Sequence, residues 1–200
     1  SVSNANTVAA LTTGVVTATI LEGDMSTLAN LTETGNAYTV TITDSSVASS
    51  ALNTLDGKTT VAVNAAAVTT LTGLAADANT AYASSGISGL GDEAVTLSDT
   101  SLASTVLNTL DGNTTGTVNA ATVATLTGTA AAANTAYASS GISGLGNEAV
   151  TLSDTSLAAT VLNTLDGNTT GAVNAATVTT LTGLAADANT AYVANTAGTI

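Results

Sequence analysis

The chain has 200 residues, and its fourteen carboxylates face a single cation, Lys58, for a formal net charge of −13. That balance excludes nucleic-acid binding, which needs many basic side chains to displace phosphate counterions, and it repels anionic lipid. Cys, Pro, His, Trp and Phe are absent, and no apolar run nears the ~20 residues that cross a bilayer, so membrane insertion is not expected.

In chain order, residues 1–37 read as a degenerate repeat or cap. Val8-Leu11-Gly14 echoes Val68-Leu71-Gly73, and Val16 to Leu31 forms one short unit without a long partner. Atypical terminal units are what a repeat array needs at its ends. The phrase LNTLDG opens at Leu52, Leu107 and Leu162, and ANTAY ends at Tyr82, Tyr137 and Tyr192, both at a strict spacing of 55. This places repeats at 38–92 and 93–147, with an incomplete third at 148–200. The apolar fraction of 44% falls at periodic places that stacking can bury, which separates the chain from a disordered one.

Each repeat holds a short and a long subunit. In the middle copy, Val95-Thr96-Leu97 alternates as a strand does. Asp99 then stands where a helix N-cap belongs. Leu102, Val106, Leu107 and Leu110 follow on one helical face, which Gly112 is expected to end in a left-handed conformation. The long subunit has a strand at Val118-Asn119-Ala120, then Val123 and Leu126 opening a second helical face that Gly128 interrupts. Thr129 to Ala138 is an Ala-rich helix. Gly141, Gly144 and Gly146 make a loop with Ile142 and Leu145 tucked inward.

Strand starts fall at Val40, Val63, Val95, Val118, Val150 and Val173, at spacings that alternate between 23 and 32. Consecutive strand–helix units form parallel pairs through crossovers. The fold expected is therefore an α/β solenoid with one parallel ladder and short helices opposite. Strands stack at ~4.8 Å while helices need about 8–10 Å. Staggering the two helix types relieves this mismatch and gives a gently curved or nearly straight rod. The alternative is an all-β solenoid, which the Thr, Asn, Gly and Val content favours and the helical spacing opposes.

No nucleophile–base pair or metal-binding cluster is visible, and an array offers regular surfaces rather than a unique pocket. No enzyme activity and no catalytic or cofactor-binding residue is expected. Calcium is the one cofactor considered, with Asp56, Asp111 and Asp166 before Gly as weak candidate ligands. The acids Asp44, Asp99 and Asp154 after strands are expected to cap helices instead. Acids near a helix C-terminus oppose its dipole, so Asp111 is expected to make an Asx-turn over Gly112-Asn113. Outward strand positions hold Thr41, Asn64, Thr96, Asn119, Thr151 and Asn174. Their alternation suits a polar ladder better than an ice-binding face with Thr on every strand. Asn30, Asn113 and Asn168 each begin an N-x-[ST] pattern.

The phrases SDTSLAATVLNTLDGNTTG, VNAATVTTLTG and ANTAYASSGISGLGNEAVTL resemble the tandem repeats of very large secreted or cell-surface proteins of marine cyanobacteria and other bacteria. That adhesin-like group is often placed with haemolysin-type giants. The resemblance covers residues 38–200 and implies an extracellular structural, adhesive or matrix role, without carrying over any ligand residue. The start at Ser1 rather than Met suits a processed or excised piece, and the near-absence of tryptic sites suits life outside a cell. The expected role is a spacer or a surface-layer, filament or adhesin segment. Its expected partners are itself, neighbouring repeats of a longer chain, glycans or extracellular matrix. Head-to-tail self-assembly and a glycan- or ice-binding strand face are the alternatives.

Overall fold

The computed structural model describes all residues from 1 to 200. The fold is α/β, with eight helices and only parallel strand pairs. Two compact units divide the chain: Ser1–Thr96 with Asn113–Gly116, and Leu97–Gly112 with Thr117–Ile200.

The first unit begins with α1 (Val2–Ala9), β1 (Thr17–Thr19), α2 (Met25–Leu28) and β2 (Ala37–Thr39). It continues through β3 (Ser46–Ala48), α3 (Ser49–Asp56), β4 (Val63–Asn64), β5 (Thr70–Gly73) and α4 (Ala75–Ala83). Strands β6 (Ile87–Ser88) and β7 (Ala94–Leu97) close it. β1 pairs with β2, β4 with β6, and β3 with β5, which in turn lies beside β7.

The second unit holds β8 (Ser101–Ala103), α5 (Ser104–Asn113), β9 (Val118–Asn119), β10 (Thr125–Gly128) and α6 (Ala130–Ala138). After them come β11 (Ile142–Ser143), β12 (Ala149–Leu152), β13 (Ser156–Ala158) and α7 (Ala159–Asn168). The last elements are β14 (Val173–Asn174), β15 (Thr180–Thr182) and α8 (Ala185–Ala197). Here β8, β10, β12 and β14 form one sheet whose register aligns Leu102, Leu126, Val150 and Val173. The steps from each of these residues to the next are nearly equal along the chain. All four side chains are buried, so the sheet's inner face is a continuous apolar row. Pairs of similar separation join β9 to β11, through Val118 and Ile142, and β13 to β15, through Leu157 and Leu181.

This register corrects the expected single ladder. The short step does pair strands, as between Val150 and Val173, but the long step, from Val118 to Val150, does not. Val118 pairs with Ile142, and Val150 pairs with Leu126. The cause lies in two segments read as helix that are strands. Leu102 belongs to β8 rather than to the helix, which starts at Ser104. Leu126 belongs to β10, while Val123 closes a turn by donating its N–H to the Ala120 carbonyl. Each repeat therefore carries more strands than expected, and each finds a partner of its own.

The helical content overturns the all-β alternative. The Ala-rich helix expected at 129–138 is α6, with Thr129 as its N-cap. Ala130, Ala133 and Ala136 are its buried face, as Ala75, Ala78 and Ala81 are in α4. Methyl side chains let a helix axis approach its neighbours more closely than Leu would. Gly112 does not end its helix; it lies inside α5 and its φ is not positive. Residues 1–37 also differ from the expected echo, because Val8 lies in α1 and both Val8 and Leu11 are exposed.

Two glycines of the last repeat should respond oppositely to substitution. Gly167 lies inside α7 with nothing within 4 Å of an added Cβ. Gly167→Ala should stabilise the chain by about 0.5–1 kcal/mol. A Cβ on Gly171 would collide with the Glu148 backbone carbonyl, so Gly171→Ala should cost more than ~2 kcal/mol. Denaturant midpoints of the two variants, measured against the parent, check this pair.

Candidate functional site

The recurring polar side chains mostly join one stretch of chain to another. At the first Asp-Gly corner, Asp56 Oδ2 accepts a hydrogen bond from Ser84 Oγ at 2.7 Å, and Asp111 Oδ2 accepts from Ser139 Oγ at 2.7 Å. The serine hydroxyls in turn accept from the N–H of Gly86 and Gly141 at 3.0 Å. A Cβ on either glycine would collide with the aspartate Oδ1. This charge-assisted bond to a residue 28 positions on, rather than an Asx-turn, explains an acid tolerated at a helix end. At the third corner position 194 is Ala, inside α8, and the buried Asp166 Oδ1 has no hydrogen-bond partner. The three calcium candidates thus stand at separate corners, and no three His, Cys, Asp or Glu side chains gather around one point.

Two of the acids after strands, Asp44 and Asp154, cap helices, but not the ones that follow them. Asp154 Oδ2 accepts from Ala130 N, the first residue of α6, at 2.8 Å. Asp44 Oδ2 accepts from Met25 N, the first residue of α2, at 2.6 Å. Each thus satisfies an orphan donor at the start of a helix that precedes it in the chain. Asp99 holds the same place in the repeat, and the short strand β8 separates it from α5.

Sequence reasoning missed two buried glutamates. Glu93 and Glu148 are both 0% exposed. Oε2 of Glu93 accepts from Tyr82 Oη and Gly91 N, each at 2.9 Å. Oε2 of Glu148 accepts from Tyr137 Oη at 3.0 Å and Gly146 N at 2.8 Å. Their backbone carbonyls accept from the buried hydroxyls of Thr114 and Thr169 at 2.7 and 2.6 Å. The other carboxyl oxygen, Oε1, has no partner in either copy, a desolvation cost set against the two donors on Oε2. Burial pushes the Tyr82 and Tyr137 phenols well above their ordinary value; the nearby Thr hydroxyls oppose this and the glutamates add to it. The signal was present: in two copies a Glu follows a Tyr by 11 positions and a Gly by two.

Asparagines form the other missed network. Asn108 Nδ2 donates to the Ala132 carbonyl at 2.9 Å, Asn134 Nδ2 to Val161 at 3.0 Å and Asn163 Nδ2 to Asp187 at 3.0 Å. These bonds run from α5 to α6, α6 to α7 and α7 to α8. Asn134 Oδ1 also accepts from Asn168 Nδ2 at 3.0 Å, and Asn79 Oδ1 from Asn113 Nδ2 at 2.9 Å. The half-buried amides of two of the three N-x-[ST] patterns, Asn113 and Asn168, are thus each bonded to an asparagine of an earlier helix, and the third, Asn30, donates to carbonyls of α2. Thr41, Asn64, Thr96, Asn119, Thr151 and Asn174 are all exposed, as the strand reading requires. In Asn64, Asn119 and Asn174 the side-chain Oδ1 accepts from the N–H two positions on.

No helix is long and apolar enough to cross a membrane. No protein-family model, curated protein or solved structure matches this chain.

Two outcomes test this network. Glu148→Ala strands the Tyr137 hydroxyl and the Gly146 N–H and opens a void, so it should cost about 2–4 kcal/mol in denaturant unfolding. The phenols of Tyr38, Tyr82 and Tyr137 are raised above 10.0 in the folded chain, chiefly by burial. Their contribution is full below that pH and is lost as pH rises past it, because the unfolded state then releases their protons more readily. Tyrosinate absorbance and far-UV circular dichroism, followed together in alkali, should show these phenols ionising only as the fold is lost.

Proposed function

We propose that the chain is a structural repeat protein, an α/β solenoid segment that serves as an extracellular or cell-surface spacer or as part of a surface layer, filament or adhesin. On this reading it performs no catalysis and needs no metal or cofactor. One observation supports it above the rest. The recurrent Asp, Glu, Tyr and Asn side chains bond to positions 11 to 34 away in the chain, joining its stretches to one another instead of converging on a cleft. Chemistry that recurs with the repeat and is consumed within it belongs to assembly of an array. The acidic, cation-poor surface supplies solubility and mutual repulsion.

Each repeat would then be two solenoid coils of about 24 residues plus a short advance from β7 to β8 or from β12 to β13. Stability should depend on keeping that whole period. Excising residues 93–147, one full period of the repeat, should leave a chain that still unfolds cooperatively with native-like circular dichroism. Excising 93–132 should leave one that does not fold, because its strands no longer meet in register. If the full-period deletion abolishes folding, or if both deletions are tolerated alike, the reading fails.

A further inference from the structure

One face of α3 differs from its copies in the later repeats. Ala51, Thr54, Leu55 and Lys58 follow one another at i, i+3, i+4 and i+7, a single helical stripe. Lys58 closes the stripe just past the helix, its N–H donating to the Leu55 carbonyl at 2.9 Å. The same stripe is Val106, Thr109, Leu110 and Asn113 in the second repeat, and Val161, Thr164, Leu165 and Asn168 in the third. Two positions differ, Ala for Val and Lys for Asn, and both fall on one groove. That groove, of about 200 Å³, lies between α2 and α3 and is lined by Leu28, Ala29, Ala51, Thr54, Leu55 and Lys58. We propose that it binds the acyl chain of a short fatty carboxylate, with Lys58 holding the carboxylate. The inference stands on these two helices and does not depend on the solenoid reading.

The groove exists because a helix is cut short. In the third repeat the nine-residue α6 packs along α7, and Asn134 bonds both the Val161 carbonyl and Asn168. Two periods before Asn134 stands Asp24. Its carboxylate accepts from Thr27 N and Ser26 Oγ, so α2 starts at Met25 and has four residues. Residues 20 to 24, equivalent to the first turn of α6, are not helical. Lys58 thus has no amide opposite it, and its Nζ donates to the Thr32 carbonyl at 3.0 Å instead. The turn after α2 is itself tied to α1, because Asn6 bonds the Asn30 carbonyl and the Thr32 N–H. The groove therefore lies among ordered elements inside unit 1.

Size and charge select the occupant. A cavity of ~150 Å³ with aliphatic walls takes up a molecule as small as benzene, whereas a drug-sized ligand needs about 300–1,000 Å³. A flexible chain of a few methylenes matches the smaller class. Lys58 is the chain's only side-chain cation, and its bonded partner is an uncharged carbonyl. An ammonium has three donors, so two remain for a carboxylate, while the methylene stem lies along the apolar wall. The fourteen carboxylates of the chain repel an anion at long range. At ~0.15 M salt that repulsion is screened beyond about 8 Å, whereas contact with Lys58 is not.

The test is a titration of the full chain with octanoate at ~0.15 M salt, read from amide shifts in proton–nitrogen correlation spectra. Saturable shifts should appear at Ala29, Ala51, Thr54 and Lys58. Octan-1-ol, which lacks the charge, and acetate, which lacks the chain, should each bind about tenfold more weakly or worse. Lys58→Asn and Ala51→Val install residues that the later repeats carry, so both should match the parent in circular dichroism. Lys58→Asn should weaken octanoate about tenfold and leave octan-1-ol unchanged, whereas Ala51→Val should abolish both. The proposal is overturned if octanoate shifts none of these amides, or binds no tighter than octan-1-ol or octyltrimethylammonium. It is equally overturned if either variant binds octanoate as the parent does. Shifts at these amides on raising the protein concentration alone would place a second copy in the groove and overturn it too.

Discussion

Parallel backbone pairing at a nearly constant separation along the chain, as from Leu102 to Leu126 to Val150 to Val173, is the constraint on which the other features depend. Parallel strands cannot be joined by tight hairpins, so every pair requires a return path. In this chain the return holds a short helix and, in every pair except β1 with β2, one further strand as well. Because side chains alternate across a strand, the register that pairs Leu126 with Val150 also places Thr127 beside Thr151. One face is thereby dry and apolar and the other polar. A slip of one residue would invert both.

The polar network follows from this pairing. A helix that returns the chain to its sheet leaves its first N–H groups unsatisfied, and Asp154 satisfies one of them in α6 from a later stretch. Asn134 binds the next helix through both ends of its amide. Glu148 ties a Gly-rich loop, a helix tyrosine and a threonine of the following stretch through one carboxyl and its backbone. These side chains are expensive to bury singly, and they recur because the same backbone geometry recurs.

Much of this was legible in the residues. The period, the α/β character, the strand at Val95-Thr96-Leu97 and the Ala-rich helix at 129–138 follow from spacing and composition. The extra strands did not, for a physical reason. β8 and β10 have three and four residues, too few for alternation to outweigh the neighbouring apolar positions around Leu102 and Leu126 that mimic a helical face. The buried glutamates were hidden differently. A carboxylate beside a glycine-rich loop is ordinarily solvated, and only its fixed distance from a tyrosine in two copies marks it as part of the core. The Asp-Gly corner was likewise explained locally, whereas its partner serine stands 28 positions away.

The most direct measurement of this account is a cysteine cross-link, which the chain's lack of native Cys makes unambiguous. Register partners in a parallel sheet lie about 4.8 Å apart, within the range a disulfide spans. The double variant Thr127→Cys with Thr151→Cys should oxidise readily to an intramolecular disulfide in the folded chain. Asn119→Cys with Thr151→Cys, the pair that the long strand step would bring together, should remain reduced under the same conditions. Cross-linking of the second pair in place of the first would contradict the account.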